Sequence, residues 1–115
     1  MCGITGVISS DVLRDADSAI VRQMNHRIEH RGPDSEGIYS SEHVMLAMRR
    51  LSIIDLAGGR QPLFNEAGDL AIVCNGEIYN HHELRMELEA LGHDISSHSD
   101  VEAIVHAYEE YGIDW

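Results

Sequence analysis

The spacing of apolar residues changes several times along the chain, and each spacing predicts a type of secondary structure. Residues 2–8, with the sequence CGITGVI, have the β-branched character of a strand, and Cys2 stands at its start. Ile20, Met24 and Ile28 recur every fourth residue. This period predicts a helix from about Asp15 to Ile28 with those three side chains on its apolar face.

Short apolar runs follow this helix. The Gly-Pro-Asp sequence within residues 30–34 favours a turn and disfavours helix. Gly37–Tyr39 and Val44–Met48 are strand-like runs joined by polar residues, which predicts a β-hairpin. Leu51–Leu56 is apolar apart from two polar positions, and the Gly58-Gly59 pair beyond it predicts a loop.

The second half of the chain begins with a predicted turn at residues 65–69. Residues 70–74 are apolar throughout, which predicts a strand buried on both faces. A helix should then run from an N-cap at Asn80 to a stop at Gly92. Its buried stripe would consist of Leu84, Leu88 and Leu91.

A last helix is predicted from a capping box formed by Ser99 and Glu102, with Gly112 after its final turn. Its apolar face would consist of Val101, Ile104, Val105 and Tyr108. Strands that come first and helices that follow, with some mixing, indicate an α+β layered domain.

Composition limits the classes of protein that fit. The chain has 115 residues, 43% hydrophobic and 24% charged, which is typical of one globular domain. No apolar run approaches the ~18 residues of a membrane span, so no membrane partner is expected. The start MCGITGV lacks the features of a secretory signal, which makes a cytoplasmic location the expectation.

The charge balance argues against a protein that binds nucleic acid. Twenty acidic residues against eight basic ones give a formal net charge of -12. Such a surface repels phosphate backbones, so no nucleic-acid partner is expected. The two cysteines, Cys2 and Cys74, are expected to be free thiols because cytosolic chains usually keep thiols reduced.

Cys2 is the first candidate for chemistry. Removal of Met1 would leave one residue that carries both a thiol and a free α-amine. An α-amine has a pKa of about 7.7 to 8.0 and can act as the base that generates the attacking thiolate. The alternative is a small residue that merely follows methionine.

Asn75-Gly76-Glu77, at the end of a predicted strand, is the second candidate. An Asn amide beside the N–H of an unhindered Gly can donate to an oxyanion. The alternative is an ordinary Asn-Gly hairpin turn. Against that alternative, the following residues lead into a capped helix instead of a returning strand.

Other candidate groups favour no additional site. Cys74 lies in an apolar run and is interpreted as a small core residue. Histidines 81, 82, 93 and 98 could suggest a metal, but neighbouring histidines on a helix point in different directions. None of these four is paired at the i, i+4 spacing of a zinc-binding helix, so no metal site is expected.

With these residues, the sequence resembles the class II, N-terminal-nucleophile glutamine amidotransferases, and most closely the glutaminase domain of glutamine-dependent asparagine synthetases. The motifs span nearly the whole chain in the family's order, and Met48 stands where the family commonly has histidine. The motifs are Met1-Cys2-Gly3-Ile4-x-Gly6, His30-Arg31-Gly32-Pro33-Asp34-x-x-Gly37, Arg50-Leu51-Ser52-Ile53-Ile54-Asp55, Gln61-Pro62-Leu63, Asn75-Gly76-Glu77-Ile78-Tyr79-Asn80 and Ser99-Asp100-x-Glu102.

The resemblance implies roles for these residues. Cys2 would be the nucleophile, and Asn75 with the backbone of Gly76 would form the oxyanion hole. Arg50 would bind the α-carboxylate of glutamine through its planar guanidinium. The alternative for Arg50 is a surface ion pair.

The resemblance also implies the rest of the glutamine pocket. Glu77 and Asp100 would receive the α-ammonium, and backbone groups of Leu51 and Ile53 would line the pocket. The alternatives are a solvated charge for Glu77 and a charge that favours its helix N-terminus for Asp100.

The fold implied by the resemblance is a layered α/β/β/α sandwich with mainly antiparallel sheets. Residues 1–115 would be the N-terminal part of this amidotransferase domain, incomplete at the C-terminus and without the synthetase domain. The segment itself would need no cofactor, and ATP and Mg²⁺ would serve the synthetase domain. Expected partners are glutamine and that domain, with a homodimer left open.

Three functions therefore fit the sequence. The first is the glutaminase half of an asparagine synthetase, which would supply ammonia for the amidation of aspartate. The second is an amidotransferase for another acceptor, such as a sugar or peptide carboxylate. The third is a non-catalytic fragment that binds glutamine.

Overall fold

The computed structural model describes residues 2–52 and 59–114. Its contacts divide the chain into two compact units, Met1–Ile53 and Ile54–Trp115. Both contain helices and antiparallel strands, with three α-helices among the described residues. The mixed α+β class with antiparallel sheets is thereby confirmed.

The first unit is a three-stranded sheet with one helix. Its elements are β1 (Gly3–Ile8), α1 (Asp15–Arg27), a 3-10 turn (Glu29–Arg31), β2 (Ser35–Ser40) and β3 (Val44–Arg50). The strand order is β1-β3-β2, and both pairings are antiparallel. The predicted opening strand, first helix and hairpin are confirmed, with longer hairpin strands than expected.

The helix packs on the sheet through a different face from the one predicted. Ile20 is 51% exposed, whereas Val21 and Asn25 are buried. The period-four prediction missed this face because a polar residue belongs to it: Asn25 Nδ2 donates to Glu36 Oε2 at 3.1 Å. The core cluster consists of Val21, Met45 and Ala47, with Val7, Leu13 and Ile38 against it.

The second unit contains a short hairpin and two helices. Its elements are β4 (Leu63–Phe64), β5 (Ala71–Ile72), α2 (His81–Ala90), α3 (Glu102–Tyr111) and a 3-10 turn (Gly112–Asp114). The prediction of a doubly buried strand over residues 70–74 was wrong, because only two of these residues pair and none is fully buried.

The turn between β4 and β5 is confirmed at residues 65–69. The side-chain Oδ1 of the buried Asn65 accepts the N–H groups of Asp69 and Leu70, at 3.1 and 3.0 Å. Gly68 supplies a positive φ of 72°. A local side chain therefore satisfies the backbone that the short strands leave unpaired.

The two helices of this unit pack around a small core. The buried cluster is Leu88, Ile95, Ala103 and Ala107, with Leu84 packed against it. Leu91, at 53% exposure, and Tyr108, at 47%, do not belong to this core, contrary to prediction. The helix stops at Gly92 and Gly112 are confirmed, since both have positive φ. Among the described residues, no helix is long and apolar enough to cross a membrane.

The predicted capping box of the last helix was wrong. The N-cap is Val101, without a side-chain cap bond, and the Ser99 N–H donates to Ser97 Oγ. Glu102 is buried, and its carboxylate accepts the backbone N–H and hydroxyl of both Ser96 and Ser97. Burial raises the pKa of Glu102, but these hydrogen bonds outweigh it and lower the pKa from its ordinary value.

Candidate active site

Cys2 is held at the start of β1 by contacts with Leu51 and Arg31. The backbone N–H of Leu51 donates to Sγ of Cys2 at 3.4 Å. Nε of Arg31 donates to the carbonyl oxygen of Cys2 at 3.2 Å. The residue is half-buried. The Cys2 thiol also donates to the carbonyl oxygen of Leu51 at 3.8 Å, so both backbone groups of Leu51 position the sulfur.

The segment from Gly32 to Asp34 supports the end of β3. A Cβ on Gly32 would lie 2.5 Å from both the carbonyl oxygen of Arg49 and the nitrogen of Arg50, so only glycine allows this approach. The N–H of Asp34 donates to the carbonyl oxygen of Arg50 at 3.1 Å. The carboxylate of Asp34 accepts the N–H of Ser52 at 2.7 Å. The segment thus fixes the backbone on both sides of Leu51.

Arg50 is buried, with 9% of its surface exposed. Its neighbour Arg49 forms the ion pairs, at 3.4 Å to Glu29 and 3.7 Å to Glu36. Because Arg50 is buried, it is not a solvent-exposed cation on the surface of the protein. Ile53, the other predicted pocket residue of this region, lies outside the described residues.

In the second unit, Asn75, Gly76 and Glu77 form an exposed segment beyond β5. The side chain of Gln61 fixes its start: Oε1 accepts the N–H of Cys74 at 2.6 Å, and Nε2 donates to the Cys74 carbonyl at 3.1 Å. The Gln61 side chain therefore forms the two hydrogen bonds with Cys74 that a neighbouring β-strand would otherwise provide. No role was predicted for Gln61, and its place in the Gln61-Pro62-Leu63 motif was the only signal in the sequence.

Asp100 is brought to the other end of this segment. Its Oδ2 accepts the N–H of Ile78 at 2.7 Å, beside Glu77 in the chain. None of the described residues forms a hydrogen bond with the Asn75 side chain, and a Cβ on Gly76 would meet only Cys74 Sγ, at 3.5 Å. The side-chain amide of Asn75 and the backbone N–H of Gly76 are therefore accessible as hydrogen-bond donors.

The Asn-Gly pair is not a hairpin turn. β5 pairs with β4, which precedes it, and the segment after Gly76 continues to α2 without another strand among the described residues. Cys74 is half-buried rather than a core side chain, and both cysteines are free thiols. The rings of His81 and His82 are in contact, with centroids 3.9 Å apart and planes tilted by 35°.

Each unit thus gathers part of the predicted residue set. The first brings Cys2 to Leu51, next to the buried Arg50. The second brings Asp100 to the backbone that follows Asn75, Gly76 and Glu77. Chemically, the first set offers a nucleophile and a cation, and the second offers neutral donors and two carboxylates.

Comparison with known proteins identifies similar sequences. The family model described as a glutamine amidotransferase domain matches residues 1–115. The chain is 45% identical over 115 residues to asparagine synthetase [glutamine-hydrolyzing] 1 of Arabidopsis thaliana, covering 100% of this chain and 19% of that protein. It is 48% identical over 113 residues to the protein of that name from Bacillus subtilis, covering 96% of this chain and 18% of that protein. The chain thus spans about a fifth of the length of these relatives.

Proposed function

We propose, because the chain belongs to the family of glutamine amidotransferase domains, that it forms the glutaminase part of a glutamine-hydrolysing asparagine synthetase. It would convert glutamine to glutamate and ammonia. The observation that carries the proposal is the contact of the Cys2 sulfur with the Leu51 N–H, directly beside the buried Arg50.

In the proposed reaction, Sγ of Cys2 attacks the side-chain carbonyl carbon of glutamine. The α-amine of Cys2, freed by removal of Met1, takes the thiol proton. As the S–C bond forms, the carbonyl π electrons move to oxygen, and the Asn75 amide and Gly76 N–H donate to this oxyanion. The intermediate expels ammonia, which receives that proton, and leaves a thioester. Water then hydrolyses the thioester to glutamate and regenerates the thiol.

The charged residues would hold the substrate by its amino-acid end. Arg50 binds the α-carboxylate, and burial strengthens that interaction because water competes less. Glu77 and Asp100 receive the α-ammonium. The hydrogen bond from Ile78 N–H to Oδ2 of Asp100 supports this role, since it leaves Oδ1 available. Fixing both charged ends presents the side-chain amide to the nucleophile.

The remainder of the longer protein would complete the reaction. We assign residues 1–115 to the N-terminal part of a layered α/β/β/α sandwich. A synthetase region with ATP and Mg²⁺ would use the ammonia to amidate aspartate. The names of the relatives and the small share of their length that this chain covers support this division.

The test compares the two cysteines in the intact protein. Cys2→Ala should reduce glutamine hydrolysis, measured as glutamate release, to background. Cys74→Ala is the matched control because its thiol has no step in the reaction, and it should retain most of the activity. Equal losses in the two variants would contradict the assignment.

A second measurement identifies the reactive terminus directly. The intact protein is treated with a glutamine-mimicking electrophile and its N-terminal peptide is analysed by mass spectrometry. We expect the adduct on Cys2 in peptides that lack Met1. An active preparation that retains Met1 would exclude the α-amine as the base.

A further inference from the structure

Four potential metal ligands converge in the second unit, apart from the residues proposed to bind glutamine. They are Glu66, His93, His106 and Glu109, here called the His/Glu cluster, and their ligand atoms all lie within 4.8 Å of one another. Glu66 belongs to the turn between β4 and β5, His93 follows α2, and the other two lie one turn apart on α3.

The distances within the His/Glu cluster approach those of a tetrahedral site. Nδ1 of His93 lies 3.1 Å from Oε1 of Glu66 and 3.7 Å from Oε2 of Glu109. Nδ1 of His106 lies 3.3 Å from Oε2 of Glu66. Zinc bonds of ~2.0–2.2 Å place tetrahedral ligand atoms roughly 3.3–3.6 Å apart. Small side-chain movements would therefore suffice to surround one ion.

His106 supplies an independent reason to expect a ligand. It is 0% exposed, and neither ring nitrogen has a hydrogen-bond partner among the described residues. Nδ1 is close to the Glu66 carboxylate but lacks hydrogen-bond geometry. A buried polar group without a partner is destabilising by about 1–3 kcal/mol. Coordination to an ion would satisfy this nitrogen.

His93 also contacts a carboxylate on the other side of its ring. Nε2 of His93 lies 3.1 Å from Oε2 of Glu110, whereas Nε2 of His106 lies 3.8 Å from Oε1 of Glu102, beyond hydrogen-bond distance. A proton on Nε2 of His93, donated to Glu110, leaves the Nδ1 lone pair of His93 directed to the cluster. A carboxylate that orients a metal-binding histidine in this way is the usual arrangement of metal sites.

The charge of the second unit also favours a cation. Of the twenty acidic residues of the chain, thirteen lie in Ile54–Trp115, against two basic residues, Arg60 and Arg85. A cation bound in this unit would offset part of its negative charge.

We infer that the His/Glu cluster binds one divalent transition-metal ion of the zinc class through four protein ligands. Two imidazoles and two carboxylates suit zinc and exclude Mg²⁺ or Ca²⁺ as the preferred ion. Four protein ligands make the site structural, joining the β4–β5 turn, the segment after α2 and α3. This inference replaces the expectation of no metal and is independent of the proposed glutaminase reaction.

Zinc titration of the intact, chelator-stripped protein against a metal indicator tests the site. We expect one equivalent to bind and to raise the unfolding temperature. Glu110→Gln, which removes an orienting carboxylate, should weaken binding by about 10–100-fold. His93→Gln and Glu109→Gln, which remove ligands, should weaken it further. The exposed His98→Gln and Glu83→Gln are matched controls and should bind as the parent does.

Cobalt substitution distinguishes this site from a thiol site. With Cys2 and Cys74 alkylated, the protein should still bind one Co²⁺ with the visible absorption of tetrahedral nitrogen and oxygen coordination. The inference is overturned if no saturable zinc binding occurs at micromolar free zinc, if alkylation abolishes it, or if His93→Gln and Glu109→Gln leave it unchanged. The cluster would then be an ion-pair network of protonated histidines.

Discussion

Arg49 and Arg50 are sequence neighbours with different environments. Arg49 bridges Glu29 and Glu36, and its Nε donates to the carbonyl oxygen of Asn25 at 3.4 Å, so it connects α1 to the sheet. Arg50 is buried next to the residue whose N–H contacts the Cys2 sulfur. The alternation of side chains along β3 separates a structural arginine from one proposed to bind substrate.

Arg50→Lys should raise the KM for glutamine by about 10–100-fold, because lysine cannot form the paired bonds worth about 1.5–3 kcal/mol that a guanidinium makes to a carboxylate. The turnover number should change less, since the lost interaction exists before and during the reaction. Steady-state glutamate release measures both constants. Arg22→Lys, an exposed position on α1, is the control. An unchanged KM would remove Arg50 from the pocket.

Gln61 is a positioning residue, because it acts on Asn75 and Gly76 through the backbone of Cys74. Gln61→Leu removes the partners of the Cys74 N–H and carbonyl, which should reduce the free energy of unfolding by about 1–3 kcal/mol.

The same change should displace the proposed oxyanion donors of Asn75 and Gly76. We therefore expect kcat for glutamine to fall about tenfold or more while KM changes little. A purely structural residue would lower stability without this kinetic pattern. Gln23→Leu, on the exposed surface of α1, controls for the loss of an amide. The two kinetic constants and chemical denaturation provide the measurements.

At the scale of elements, residues 32–34 support the end of β3 and thereby connect to the Cys2 thiol. Gly32 approaches the β3 backbone too closely for any side chain, and Asp34 bonds on both sides of Leu51. Leu51 in turn contacts Cys2. We therefore expect that a displacement of residues 32–34 would also move Leu51 and the Cys2 thiol.

Gly32→Ala should lower the free energy of unfolding by at least ~3 kcal/mol, the upper part of the range for overpacking, and should also lower glutaminase activity. Gly112→Ala is the matched control: nothing lies within 4 Å of the added Cβ, so its cost of about 1–3 kcal/mol comes only from a backbone with φ 76° and ψ −154°, and it should keep full activity. Denaturant unfolding measures the stability of both variants, and glutamate release measures their activity. Full activity in the Gly32 variant would show that the thiol does not depend on this support.

The sequence predicted the helices and the hairpin well, because period and glycine stops are local signals. It did not predict which helix face is buried, since Asn25 and His106 lie in the interior and polar residues do not contribute to an apolar period. Glu102 was assigned to Ser99 by spacing, yet it bonds to Ser96 and Ser97. Contacts of Gln61 with Cys74 depend on tertiary pairing, which one sequence does not reveal.

At the scale of the molecule, charge is distributed unevenly. Of the net charge of -12, Met1–Ile53 carries only -1, from seven acidic and six basic residues, and Ile54–Trp115 carries the rest. Like charges at this density destabilise a compact state, and dissolved salt screens them over about 10 Å at 0.1 M.

Raising the ionic strength from about 0.01 to 0.15 M should therefore increase hydrogen-exchange protection more in residues 61–114 than in residues 3–50. Choline chloride is the salt of choice because it cannot coordinate to the His/Glu cluster. Sodium chloride at the same ionic strength is the comparison. An equal increase in hydrogen-exchange protection in both segments would show that charge repulsion does not selectively destabilise residues 61–114.

The pairing of β1 with β3 also constrains the order of events during synthesis. Gly3 lies opposite Arg49, so the first strand has no partner until that part of the chain has left the ribosome. At about 5–20 residues per second, this takes roughly 2–9 s. An aminopeptidase that carries out the proposed removal of Met1 would therefore find an unpaired first strand during that interval. Translation itself provides the time in which the α-amine can be released.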